Sequence, residues 1–154
     1  MGDGAPAGRA SRRDFLGGCA AAAALAGLGG CALLRKTVDP DVILPAEGGE
    51  VRIPRTRLPW NGAGGESLAL EVTGRHGKIL VFRGPDGAPR ALDMTCTHFG
   101  CDVQWAPSRG RIVCPCHGSE YETSGKVLHG PAGKPLLPHE VREDAGDLVV
   151  VLRS

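Results

Sequence analysis

From Gly49 to the C-terminus the apolar residues come in short runs separated by turn residues, a rhythm that predicts strands. The runs are EVRI (50–53), SLALEVT (67–73), KILVFR (78–83), RALDM (90–94), RIVC (111–114), LLPHEV (136–141) and DLVVVL (147–152). Gly-Gly, Arg-His-Gly, Gly-Pro-Asp-Gly and Ala-Gly-Asp punctuate them. LALEVT alternates apolar with polar and reads as a half-buried strand, whereas DLVVVL is continuous and reads as a core strand. No segment shows a convincing 3.6-residue period, and no internal repeat is visible. Residues 46–154 are therefore expected to form one small all-β domain.

The N-terminal pattern is different. Arg12 and Arg13 precede an uncharged run from Phe15 to Leu34, bounded by Asp14 and Arg35. A basic leader followed by an apolar segment is the layout of an export signal. The paired arginines with Phe15-Leu16 resemble the twin-arginine signal, which addresses proteins to a route that carries them already folded. Residues 1–34 are thus expected to be a signal and membrane anchor, an N-terminal hydrophobic helix long enough to span a bilayer but rich in Ala and Gly. Three fates stay open: retention, cleavage after Ala24-Leu25-Ala26, and lipidation of Cys31 in Leu28-Gly29-Gly30-Cys31. Cys19 reads as a small apolar residue of the segment. Residues 35–45 (RKTVDPDVILP) carry Pro and charge without helical period and read as a linker, or hinge. The expected location is the bacterial cytoplasmic membrane with the head on the periplasmic side.

Composition narrows the function. With 154 residues and a net charge of +1, nothing argues for a nucleic-acid partner. Aromatics are scarce at 4%, while 24 Gly and 12 Pro suit strands joined by many turns. Six cysteines are many for this length, and four of them fall in two short boxes.

The first box is CTHFGC, with Cys96, His98 and Cys101; the second is CPCHGSEY, with Cys114, Cys116 and His117. Thiolates and imidazoles at these spacings can converge on one metal centre. A structural zinc takes four ligands and leaves one cysteine in each loop without a role. An iron–sulfur cluster accompanied by a loop-to-loop disulfide uses every residue of the set, and a disulfide suits an exported protein.

These boxes resemble the two cluster-binding boxes of Rieske iron–sulfur proteins. The likeness extends to Gly130-Pro131-Ala132, similar to the proline loop that covers the cluster in that family. It implies a Rieske-type antiparallel β-sandwich with a cluster-binding subdomain in loops 94–135. It also implies a [2Fe–2S] cluster, one iron held by Cys96 and Cys114 and the other by His98 and His117, and a disulfide between Cys101 and Cys116. By the same resemblance Ser119 would donate to a bridging sulfide and Tyr121 to a ligand cysteine. Hydrogen bonds to sulfur favour the reduced form. Two neutral imidazoles leave the oxidised centre near zero formal charge, against about −2 for four thiolates, so His ligation raises the potential into the range of roughly −150 to +300 mV.

The resemblance points most closely to the Rieske subunit of a cytochrome bc-type quinol–cytochrome c oxidoreductase, with quinol and cytochrome b- and c-type subunits as partners. His117 is the expected quinol contact, able to take up a proton as the cluster gains negative charge. Phe99 stands where such subunits commonly carry Leu. Two alternatives are the Rieske subunit of an exported molybdenum oxidase of the arsenite oxidase type and a lipid-anchored, stand-alone carrier. His76 and His129 are expected at the surface, His139 in a structural role, Trp105 in packing, and Asp102 and Glu120 as solvated acids.

Overall fold

A computed structural model describes residues 36–60 and 67–154; the twin-arginine motif, the hydrophobic run, Cys19 and Cys31 lie outside the described residues. Eleven strands follow one another among the described residues. They are β1 (Val42–Leu44), β2 (Glu50–Ile53), β3 (Ser67–Val72), β4 (Lys78–Arg83), β5 (Pro89–Asp93), β6 (Gln104–Ala106), β7 (Arg111–Val113), β8 (Glu120–Tyr121), β9 (Val127–His129), β10 (Pro138–Asp144) and β11 (Asp147–Val151). They form a seven-stranded sheet, ordered β1-β3-β4-β5-β10-β11-β2, and a four-stranded sheet, ordered β6-β7-β8-β9. Among the described residues no helix is long and apolar enough to cross a membrane.

The larger sheet packs its two halves against each other. Val51 and Ile53 of β2 and Leu148 and Val150 of β11 meet Leu68, Leu70 and Val72 of β3 and Ile79 and Val81 of β4 in one core. The opposite faces of β3 and β4 are also covered. Ala69, Leu80 and Phe82 join a second core with Met94, Cys96, Val103, Trp105, Ile112, Cys114 and Tyr121, which carries the small sheet and its loops. This double burial explains the unbroken apolar run of β4, since a strand covered on both faces has no solvent side to mark with polar residues. It also corrects the half-buried reading of β3, whose Leu68, Ala69 and Leu70 are all buried. Ala fits either face, so the alternation did not reveal the second layer.

The segment expected as a linker is partly strand. Val42–Leu44 pair with Leu70–Val72 of β3, and this pairing is parallel where the rest of the ladder is antiparallel. Asp41 anchors it, donating its backbone N–H to Ala69 O at 2.9 Å and accepting the Ala69 N–H on Oδ2 at 2.7 Å. The strand flanked by Pro40 and Pro45 is too short to show a period, and its partner lies far along the chain.

His139 is structural, as expected. Its ring accepts the Arg153 N–H on Nδ1 at 3.0 Å, so Nε2 carries the proton and donates to Asp93 Oδ1 at 3.0 Å.

Candidate metal centre

The two boxes fold into the same loop. In the first, Cys96 N–H donates to Cys101 O at 2.8 Å and Gly100 N–H returns to Cys96 O at 2.9 Å. In the second, Cys114 N–H donates to Ser119 O at 2.8 Å and Gly118 N–H to Cys114 O at 3.0 Å. Each loop thus runs from a cysteine through a glycine four positions on to a closing residue one further. The glycines adopt φ 76° and 74°. A Cβ at Gly118 would meet nothing within 4 Å, so it is the left-handed backbone, not space, that calls for glycine there. These turns replace the ladder hydrogen bonds that the strands on either side stop making.

The loops face each other. The imidazoles of His98 and His117 stand edge to face, their centroids 4.9 Å apart. The thiols of Cys96 and Cys114 hydrogen-bond each other and are almost fully buried. Nδ1 of His98 is buried with no hydrogen-bond partner, an arrangement that costs free energy unless something else binds that nitrogen. His117 is exposed, and Phe99, 65% exposed, packs its ring 4.0 Å from His98 and 5.6 Å from His117. Two buried thiols without a disulfide, an orphaned imidazole nitrogen and a second imidazole beside it fit a cluster with mixed sulfur and nitrogen donors.

Cys101 and Cys116 are joined by a disulfide that links the two loops. Cys114 Sγ lies within 4.8 Å of both bridged sulfurs. That sulfur trio is not itself a metal site, because a bridged cysteine has no thiolate to offer.

Hydroxyls and amides surround Cys96. Burial pushes its thiol up, but hydrogen bonds from Tyr121, from the His98 N–H, from Cys114 and from Ser119 outweigh this and hold it below the ordinary thiol range. For Cys114 burial wins, and the neighbouring Cys96 adds to it, so that thiol is raised. Tyr121 Oη lies 3.2 Å from Cys96 Sγ. Its own ionisation is pushed up to about 12, first by burial and then by the Cys96 contact, so the hydroxyl keeps its proton as a donor. Ser119, fully buried, accepts the Ala132 N–H on Oγ at 3.0 Å and turns its own hydroxyl proton toward Cys96.

Thr97 escaped the sequence reading. Its hydroxyl donates to Lys134 O at 2.6 Å, its N–H points at Tyr121 Oη at 3.4 Å, and its Oγ1 lies 3.3 Å from that same oxygen. It therefore ties the first box to the loop after Pro131 and brackets the tyrosine. Its position between two ligand-type residues was the available signal. Asp102 and Glu120 depart from the expectation of solvated acids. Asp102 is 4% exposed, and Lys78 meets it at 2.8 Å. Glu120 bonds Arg111 at 2.6 Å and also Arg109. Both were misjudged because the basic partner comes from another part of the chain. His76 and His129 are exposed, and Trp105 packs against Phe82 at 4.6 Å.

The fold and its twin loops define a class, small β proteins that hold an iron–sulfur centre at one end with paired thiol and imidazole donors. Residues 59–143 match the Rieske [2Fe-2S] domain, and the chain belongs to that family. Its cofactor is a Rieske-type [2Fe–2S] cluster, and its role is that of a Rieske electron carrier. The cytochrome b6-f complex iron-sulfur subunit of Prochlorococcus marinus (strain AS9601) is 38% identical over 104 residues, 65% of this chain and 58% of that subunit. The putative Rieske 2Fe-2S iron-sulfur protein YhfW of Bacillus subtilis (strain 168) is 46% identical over 72 residues, 47% of this chain and 14% of that protein. The chain thus spans little more than half the length of the first relative and a small part of the second. Among solved structures, the ferredoxin of carbazole 1,9a-dioxygenase from Nocardioides aromaticivorans IC177 superposes with a TM-score of 0.56 at 21% identity, over 69% of this chain and all of that one, a likeness of fold.

Proposed function

We propose that this chain accepts an electron and a proton from quinol and passes the electron to a c-type cytochrome, as a subunit of a membrane-bound cytochrome bc- or b6-f-type complex. In this reading Cys96 and Cys114 hold one iron and His98 and His117 the other, and the cluster supplies one-electron exchange. The observation that carries the reading is the exposed His117 ring beside the exposed Phe99, a polar acceptor on an apolar tip. His117 receives the quinol hydroxyl, Phe99 packs against the quinol ring, and His98 stays sheltered with its Nδ1 turned inward. Tyr121 and Ser119 place protons on sulfur and favour the reduced state. Export by the twin-arginine route, anchoring through residues 1–34 and a head on the periplasmic side belong to the same proposal. Similarity to the b6-f iron-sulfur subunits supports it.

The test is to tag the protein in its own host, solubilise the membranes and analyse what co-purifies. The reading expects b- and c-type haems to travel with it and the purified complex to reduce cytochrome c with quinol. Co-purification with a molybdenum-containing subunit, or recovery alone as a carrier that quinol does not reduce, would refute it.

A further inference from the structure

Asp102 is the one carboxylate among the buried polar residues described, and nothing in the metal centre uses it. A buried carboxylate is costly unless charge and hydrogen bonds compensate it. Here both do. Its Oδ2 accepts the Val38 N–H at 2.7 Å and meets the Lys78 ammonium at 2.8 Å, with the Lys78 side chain itself mostly covered. The backbone N–H of Asp102 donates to Lys36 O at 3.0 Å. The peptide units between Lys36 and Val38 are thus gripped at both ends by one residue. Val38 adds its side chain to the core that contains Cys96, Cys101 and Cys114. Three residues further on, Asp41 makes its paired hydrogen bonds to Ala69, and β1 begins. At the other end of the contact, Asp102 directly follows the disulfide-bonded Cys101 and bridges Thr95 across the neck of the first box.

We propose that Asp102 is a latch that joins the segment entering the head, residues 36–41, to the loop carrying Cys96, His98 and Cys101, so that the two order and loosen together. This goes beyond the electron-transfer reading and does not depend on it. Two consequences follow. Residues 36–44 belong to the head and supply no pivot between Lys36 and the sheet. Lys36, Thr37 and Asp39 already face solvent, so what loosening of the first box frees is their hydrogen-bonded backbone, which an intact centre keeps from bending into a protease.

The site provides its own probe, because trypsin cuts after Lys36. The experiment uses the full-length protein carrying its cluster, with the bond between Lys36 and Thr37 followed by mass spectrometry and cleavage after the exposed Lys126 followed as the measure of general opening. In the unaltered protein the Lys36 bond is expected to be cut far more slowly than in a free peptide of the same sequence. Asp102→Ala and Lys78→Met should each speed that cleavage by at least about tenfold, with cleavage after Lys126 unchanged. Reduction of the Cys101–Cys116 disulfide in the unaltered protein should give the same selective acceleration. Lys78→Met leaves the loop backbone intact and keeps the test alive if Asp102→Ala does not fold, and amide hydrogen exchange of residues 37–41 gives a protease-free reading. Peptide-like cleavage in the unaltered protein, no acceleration in the folded variants, or equal acceleration at both sites on disulfide reduction would each overturn the latch.

Discussion

Replacing Tyr121 by Phe removes one oxygen from a fully buried side chain and isolates what its hydroxyl contributes. That hydroxyl lies 3.2 Å from Cys96 Sγ. A hydrogen bond to a charged acceptor contributes roughly 1.5–3 kcal/mol, but only the part that grows as the sulfur gains negative charge affects the potential. Taking about half gives ~0.8–1.5 kcal/mol. At about 59 mV per tenfold for one electron, that lowers the midpoint potential by roughly 35–65 mV. No neighbour replaces the lost donor. Thr97 Oγ1 is near, but its proton is committed to Lys134 O, and water is excluded because Tyr121 is fully buried. The assay is a redox titration of purified protein followed by visible circular dichroism, with thermal unfolding as a control for packing. Because the tyrosine ionises only at about 12, its proton is in place at both about pH 7 and about pH 9, so the lowering should be equal at the two. A potential that stays put or rises, or a lowering that disappears at the higher pH, would show that the hydroxyl does not act on the ligand sulfur.

The legible parts of this molecule are those where chemistry restricts both residue type and spacing. Cys96, His98, Cys114 and His117 stood out as sulfur and imidazole at close intervals, and the structure brings their two boxes face to face, whereas Gly100 and Gly118, which let the loops close, drew no notice until the backbone showed their positive φ. The Cys101–Cys116 disulfide followed from the family resemblance and is present. The long strands were legible from their apolar runs. β6, β8 and β9 were missed because QWA, EY and VLH hold too short an apolar run to stand out, whereas β7, equally short, continues Ile112 and Val113 into Cys114. β1 was missed because Pro40 and Pro45 flank it and because a parallel partner leaves no turn signal beside it. Asp102 shows the other limit. Its acid side chain looks like surface until Val38, 64 positions away, and Lys78 close over it. The candidate donor residues were thus readable one at a time, whereas burial and support depend on what the rest of the chain brings up.

Two further outcomes test the scaffold. Replacing Cys101 and Cys116 together by Ser removes a cross-link between positions 15 apart, a loop for which restriction of the unfolded chain corresponds to about 3 kcal/mol. Urea unfolding should shift to lower denaturant by that order, and the visible absorbance of the cluster should bleach sooner; an unchanged midpoint would mean that other contacts already hold the loops together. The second concerns Asp93, which meets Arg75 at 2.7 Å and His139 at 3.0 Å. Burial pushes its carboxyl up, but the hydrogen bonds from His139 and Arg75 outweigh this and hold it below the usual carboxylate range. A folded value depressed below the unfolded one, about 3.9, means the ionised form stabilises the fold. That contribution is complete above the unfolded value and is lost as the pH falls through the folded one. The stability gap between the unaltered protein and Asp93→Asn, read from urea unfolding across a pH series, should therefore be widest near neutrality and close in strong acid. A gap that is flat, or that widens as the solution is acidified, would mean that the carboxylate charge is not what binds β5 to the C-terminal strands.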